Sequence, residues 1–184
     1  MPPRPPVPRL AGDGKGEGTV LQVRRLRGGD AGAYQALRLA GLRLHPDAFG
    51  SSWEEEADRP LATTAEALEA NYVAGCERDG ALIGIAGLRR ATSVKTRHRG
   101  VIWGIYVDPA ARGLGVGERL IAAVIEQARG QVEDLLLTVS AHNATAISLY
   151  RRFGFEDYGL DHRSLKIGDG YVDELLMKLD LRPA

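Results

Sequence analysis

The chain has 184 residues, and its 24 lysines and arginines balance 24 aspartates and glutamates. That balance argues against a nucleic-acid binder or a protein drawn to anionic membranes by bulk charge. With 44% apolar and 26% charged residues there is material for one ordinary globular core, and no stretch offers the roughly eighteen apolar residues of a membrane-spanning helix.

Residues 1–18 differ from the rest, with five prolines among positions 2 to 8 followed by Gly-Asp-Gly-Lys-Gly-Glu-Gly. This composition predicts a disordered, solvated tail rather than a docking peptide, and it lacks the apolar core of a secretory signal, so a cytoplasmic protein is expected. Residues 19–184 read as a single domain. Val20 to Leu26 has strand composition, Ala31 to Leu44 the helical period, and Thr63 to Ala70 a second, shorter helix. Between these helices, Phe49-Gly-Ser-Ser-Trp53-Glu54-Glu55-Glu56 combines an aromatic with three carboxylates. Such a segment is either a charged helix start or a rim suited to a cationic amine.

Three strands follow, Tyr72 to Glu77, Ala81 to Arg90 and Gly100 to Val107, expected as an antiparallel meander with Asp79-Gly80 as its first tight turn. Arg89, Arg90, Lys95, Arg97 and Arg99 carry this region's charge without one acidic partner, which suits either the steering of an anionic cofactor or a solvated hairpin that resists edge pairing. From Glu118 to Arg129, Leu120, Ile121, Val124, Ile125 and Ala128 share a helical face, and Gly130 is the expected stop. A strand at Asp134 to Ser140, a helix from Ala144, and closing strands at Phe155 to Tyr158 and Tyr171 to Leu179 complete an α/β (α+β) pattern. Cys76 is the only cysteine, so no disulfide framework exists, and the spacing of His45, His142 and His162 does not suggest a metal site.

The most informative segment is Ile105-Tyr-Val-Asp-Pro109-Ala-Ala-Arg112-Gly113-Leu-Gly115-Val-Gly117, a strand that runs through a glycine-rich turn into a helix. The first helical turn leaves amide N–H groups without intrahelical partners at the positive end of the helix dipole, which makes an anion site. Pro109 ends the strand, Arg112 adds charge, and Gly113, Gly115 and Gly117 are expected to allow positive φ and close approach of a phosphate. A dinucleotide fingerprint fails, because Glu118 or Leu120 stands where its third glycine is wanted, and no Gly-Lys-Ser/Thr succeeds the glycines to make a Walker-type loop.

A second segment, Leu137-Thr-Val-Ser-Ala-His-Asn143-Ala-Thr-Ala-Ile-Ser-Leu-Tyr150-Arg-Arg-Phe-Gly154-Phe155, places Asn143 as an N-cap and Gly154 as a left-handed C-terminal cap. Tyr150 lies seven residues after Asn143, so both project from one helical face, which is either core or site.

Together these motifs resemble the acetyl-CoA pyrophosphate motif and the succeeding motif of the GNAT (N-acetyltransferase) superfamily, densely over residues 101–160 and by element order elsewhere. The resemblance implies a mixed, mostly antiparallel sheet of about seven strands flanked by about four helices. It implies splayed backbone at Ile105, Tyr106 and Val107 that holds the pantetheine arm, and a diphosphate on the amides of Arg112, Gly113, Leu114, Gly115, Val116 and Gly117. Asn143 would bind the cofactor, and Tyr150 would protonate the departing thiolate as general acid.

The implied activity is acetyl transfer from acetyl-CoA to a primary amine of a small molecule by direct attack. The alternatives are a protein lysine or N-terminal acetyltransferase and a non-catalytic CoA-binding sensor. The region between the first two helices borders the acceptor site in similar proteins, so the resemblance makes Trp53, Glu54 and Glu55 the substrate-side candidates. Similar proteins often dimerise, yet no interface is identifiable in this sequence. One departure stands out: many members carry a glutamate on the strand before the turn, whereas Val101 to Val107 has no carboxylate, leaving the base open among Glu54, Glu55, Glu56, His98 and a water.

Overall fold

The computed structural model describes residues 20–183, so the proline- and glycine-rich tail lies outside the described residues. A seven-stranded sheet organises them, in the spatial order β1-β2-β3-β4-β5-β7-β6. The strands are β1 (Leu21–Arg25), β2 (Tyr72–Arg78), β3 (Ala81–Arg90), β4 (Arg99–Val107), β5 (Asp134–Ser140), β6 (Glu156–Ile167) and β7 (Gly170–Asp180). Every pairing is antiparallel except β4 with β5.

Among the described residues five α-helices cover the sheet: α1 (Ala31–Leu44), α2 (Trp53–Ala57), α3 (Leu61–Ala70), α4 (Val116–Ala128) and α5 (Ala144–Arg152). The helix beyond the expected four is α2, a single turn started by a capping box in which Ser52 and Glu55 exchange side-chain and backbone bonds. The Glu55 carboxylate accepts the Ser52 amide at 2.8 Å in this box.

Two apolar clusters lie on opposite faces of the sheet. One joins α4 and α5 to the sheet through Val116, Leu120, Ile121, Val124, Ile147 and Tyr150. The other joins α1 and α3 through Tyr34, Leu37, Leu42 and Leu68 with Ile85 and Tyr106. The β2–β3 hairpin turns at Asp79 and Gly80, both at positive φ (52° and 78°), as the Asp-Gly pair predicts for a two-residue hairpin turn.

At the end of α5, Gly154 adopts φ 88°, its N–H bonds the Arg151 carbonyl and the Phe155 N–H bonds the Tyr150 carbonyl. This is the paired pattern of a Schellman cap, and its usual apolar contact is the edge-on packing of Phe155 against Tyr150, with ring centroids 5.9 Å apart.

Two features of β4 open a cleft beside it. Its pairing with β5 ends at Val101 opposite Leu136, so the strands diverge and Ile102 to Val107 have no β5 partner. On its other side the register with β3 slips: Tyr106 faces Ile85 and Trp103 faces Gly87, so Gly104 and Ile105 together oppose Ala86. Gly104, at φ 62°, absorbs this bulge. The slip turns Trp103 toward the α1 face while Ile105 packs with the α4 cluster.

Candidate functional site

The diverging strands leave a cleft whose floor is the backbone of Ile105, Tyr106 and Val107, the residues expected to be splayed. At its end Asp108 closes the strand by accepting the Ala110 amide at 2.8 Å, and a short 3-10 turn (Pro109–Ala111) leads into the glycine-rich segment. Gly113 and Gly115 adopt φ 79° and 76°, and Gly115 caps α4. Among the described residues, no backbone hydrogen bond engages the amides from Gly113 to Glu118, so a row of donors stands at the positive end of α4.

Two expectations need correction. Gly117 does not take positive φ: it lies inside α4, and a Cβ there would stand 3.2 Å from Leu149 of α5, so its role is close helix packing. The Arg112 amide is also not free, since it donates to the Pro109 carbonyl at 3.3 Å, and the amide row starts one residue later. The Arg112 side chain instead meets His45 Nε2 at 2.7 Å. Because a guanidinium only donates, that ring nitrogen is an unprotonated acceptor.

Asn143 caps α5 as expected, its Oδ1 accepting the Ala146 amide at 3.1 Å, which leaves the NH2 end for a ligand. Tyr150 is 5% exposed and belongs to the core of this face. Burial alone pushes its phenol well above the ordinary range, so the group keeps its proton. Asn143 and Tyr150 thus start and end one helix beside the cleft.

On the opposite face, the acceptor-side expectations divide. Glu54 is exposed, Glu55 caps α2, and Trp53 packs against the α1 cluster with the Arg43 guanidinium 4.3 Å above its ring. The inward member of the trio is Glu56, 7% exposed, whose two oxygens are held by Arg38 at 3.2 and 2.9 Å. Burial pushes the Glu56 carboxyl up, yet the Arg38 hydrogen bonds and charge, helped by Ser51 and Arg59, leave it below its usual value.

The third nitrogen of Arg38, Nη1, is buried without a partner among the described residues, 3.7 Å from where a side chain on Gly104 would begin. The space a β4 carboxylate would enter therefore adjoins a guanidinium. Sequence reasoning missed Arg38, although it sits inside the apolar stripe Tyr34, Leu37, Arg38, Gly41, Leu42, where a lone arginine signals a buried partner.

Replacing Glu56 with Gln should lower stability by about 2 kcal/mol, because it leaves a buried guanidinium uncompensated. The sign with pH is defined: a lowered carboxyl stabilises the fold above its unfolded pKa, and that contribution is lost as pH falls through the folded value. Thermal melts between about pH 3 and pH 7 should therefore converge for wild type and Glu56→Gln at the acid end. Parallel curves would contradict the assignment.

The turn after α1 bridges the two lips of the cleft. Besides the His45 contact to Arg112, the Ser140 hydroxyl at the end of β5 donates to the Asp47 carbonyl, and Asp47 Oδ2 lies 2.8 Å from His142 Nε2. His98 lies at the far end of the strands, where its carbonyl receives the amides of Glu133 and Asp134. No cluster of three or more His, Cys, Asp or Glu suited to a metal occurs among the described residues, and no helix among them is long and apolar enough to cross a membrane.

A strand-turn-helix segment with unengaged amides thus stands beside two parallel strands that diverge. Residues 39–155 match the acetyltransferase (GNAT) family model, and the chain belongs to that family.

It is 36% identical over 104 residues to the N-alpha-acetyltransferase RimI of Mycobacterium tuberculosis, covering 55% of this chain and 64% of that protein. It is 32% identical over 154 residues to the mycothiol acetyltransferase of Acidothermus cellulolyticus, covering 77% of this chain and 46% of that one. The chain thus spans less than two thirds of the length of either relative. In fold it is similar to the solved structure of yncA from Salmonella typhimurium with its cofactor acetyl-CoA, at TM-score 0.79 and 20% identity, over 90% of this chain and 96% of that one.

Proposed function

We propose that this protein is an acetyl-CoA-dependent N-acetyltransferase acting on a primary amine of a small molecule. The observation that carries this reading is the row of unengaged amides from Gly113 to Glu118 at the start of α4, next to the unpaired backbone of Ile105 to Val107. Those residues fit the donor: amides and helix dipole suit a diphosphate, and a free strand edge suits the amide groups of a pantetheine arm.

When bound, acetyl-CoA supplies an acetyl thioester. In this reading the amides of Gly113, Leu114, Gly115, Val116 and Gly117 and the Arg112 side chain hold the diphosphate, and the edge of β4 aligns the arm. The NH2 group of Asn143 adds a donor, and Tyr150 keeps a proton for the departing sulfur. The principal contribution is positioning, since the amine attacks directly and the chain supplies no covalent intermediate. The turn after α1, tied to Arg112, Ser140 and His142, narrows the acceptor side and favours a small amine over an extended peptide. The relationship to RimI supports the second reading, transfer to a protein N-terminus.

The test is CoA release from acetyl-CoA against polyamines, amino acids, aminoglycosides and short peptides, with an acceptor-free control. Turnover confined to small amines is the expected result. Turnover confined to peptides would replace this reading with the second, and bound acetyl-CoA without turnover on any acceptor would overturn both.

A further inference from the structure

An attacking amine has to be neutral, and an alkylamine of pKa about 10 is almost fully protonated near pH 7, so a group at the cleft has to take a proton. Among the side chains open for this role on sequence grounds, Glu54 is exposed on α2 and the others are elsewhere or occupied. Glu55 caps α2, Glu56 is clamped by Arg38, and His98 stands at the other end of the β4–β5 pair. On β4 the bulged position is Gly104, which carries no side chain at all. Of the histidines near the open end, His45 has its Nε2 engaged by Arg112.

His142 remains, and its setting is built. Asp47 Oδ2 lies 2.8 Å from His142 Nε2, and Asp47 is itself anchored through its carbonyl by the Ser140 hydroxyl. His142 follows directly on the end of β5 at Ser140, and the turn that holds it through Asp47 also reaches Arg112, beyond the end of β4, through His45. The imidazole thus stands on the β5 lip of the cleft whose β4 lip is the proposed thioester site.

We propose that His142 is the general base of the transfer and that Asp47 is its positioning residue; this rests on the N-acetyltransferase reading. With Nε2–H donating to Asp47, the ring presents the lone pair of Nδ1 to the acceptor. The ammonium gives a proton to Nδ1, and the freed nitrogen lone pair forms the C–N bond. The C–S bond breaks with its electron pair on sulfur, which takes the Tyr150 proton, and the nitrogen, cationic after attack, releases its second proton to solvent to leave a neutral amide. The imidazolium then returns its proton to solvent and the phenolate is reprotonated from it, so no oxidant, reductant or further reactant enters.

Other titratable groups adjoin this position. Asp173 and Glu174 of β7 flank it, since the Ala141 amide bonds the Asp173 carbonyl and Glu174 pairs with Ser140. Both carboxylates have partners on β6: His162 lies 2.9 Å from Asp173, and the Ser164 hydroxyl donates to Glu174 at 2.6 Å. Arg151 of α5 is paired with Asp157, and Arg112 and His45 lie across the cleft.

The experiment measures kcat/KM for the fastest amine of the acceptor panel from about pH 5.5 to pH 9.5 in wild type, His142→Gln, Asp47→Asn and Glu174→Gln. Acetyl-CoA affinity and an NMR titration of the His142 ring accompany it. In wild type, the rising limb should coincide with the His142 titration. His142→Gln should lower kcat/KM near pH 7 by about 100-fold and move the limb up toward the amine's own pKa, with acetyl-CoA affinity unchanged.

Asp47→Asn should lower kcat by about tenfold with KM and acetyl-CoA affinity unchanged, and should add nothing in a His142→Gln background, because the ring loses the carboxylate that fixes its tautomer and orientation. A wild-type profile in His142→Gln, a limb that does not track the ring, or loss of the limb in Glu174→Gln instead would overturn the proposal. Failure of the parent reading looks different: wild type itself would bind acetyl-CoA and turn over no amine, and the proposal would fall with it.

Discussion

Gly115→Glu is expected to weaken acetyl-CoA binding by more than about a thousandfold while leaving the fold nearly intact, an effect of roughly 4 kcal/mol on affinity. Nothing lies within 4 Å of a Cβ built on Gly115, so the new side chain starts in open space at the start of α4. There it brings a carboxylate to the row of amides proposed to hold a diphosphate, and like charges side by side cost several kcal/mol.

The fold loses much less. Gly115 sits at φ 76°, where an L-residue costs roughly 1–2 kcal/mol, which for a chain of this size lowers the melting midpoint by a few degrees. Gly115→Asn separates the two effects, because asparagine tolerates the left-handed region and carries no charge. Calorimetric titration of acetyl-CoA should show a modest loss for Asn and no measurable binding for Glu. Equal affinities in Glu and wild type would mean that the diphosphate is held elsewhere.

Local chemistry explains why so much of this arrangement is readable from the residues. Ala31 to Leu44 has the bounds its apolar period predicts, Asp79-Gly80 forms the tight turn its residue types require, and Asn143 and Gly154 cap α5 at the positions their side chains suit. Each of these signals lies within a few residues of the structure it dictates. Where the pattern is silent, the cause is contact between distant segments or an irregular backbone. Asp47 and His142 are 95 residues apart and Arg38 and Glu56 are 18 apart, and neither pair leaves a local pattern beyond a single arginine in an apolar stripe.

Strand β6 shows a strand signal only over Phe155 to Tyr158, yet it runs from Glu156 to Ile167. It is an edge strand with few apolar residues, and its alternation is broken near Arg163, a non-glycine residue at φ 58° where the register with β7 slips. Gly117 departs from expectation for a different reason: a glycine needed for positive φ and one needed for close helix packing look identical in sequence, and only the 3.2 Å approach to Leu149 tells them apart.

Tyr150→Phe should separate catalysis from binding: turnover is expected to fall by about 100-fold or more while acetyl-CoA affinity changes by less than about twofold. The two side chains have nearly the same volume, so Phe can keep the packing against Phe155 and the place in the core between α4 and α5. What disappears is one O–H. Burial disfavours the phenolate, which would make the phenol a weak acid toward bulk water, but a sulfur leaving into the same apolar surroundings is also made more basic, so the two shifts partly cancel.

A structural readout accompanies the kinetic one. Because the folded-state pKa lies above the unfolded value of about 10, the stabilising effect of the neutral phenol is fully present below that value and is lost as pH rises through the folded one. Alkaline denaturation should therefore begin at lower pH in wild type than in Tyr150→Phe, even though the two are similarly stable at neutral pH. If turnover and affinity fell together in Tyr150→Phe, the residue would be packing that supports the cleft and not an acid. Full turnover with a shifted alkaline transition would place the hydroxyl in the core without a part in the chemistry.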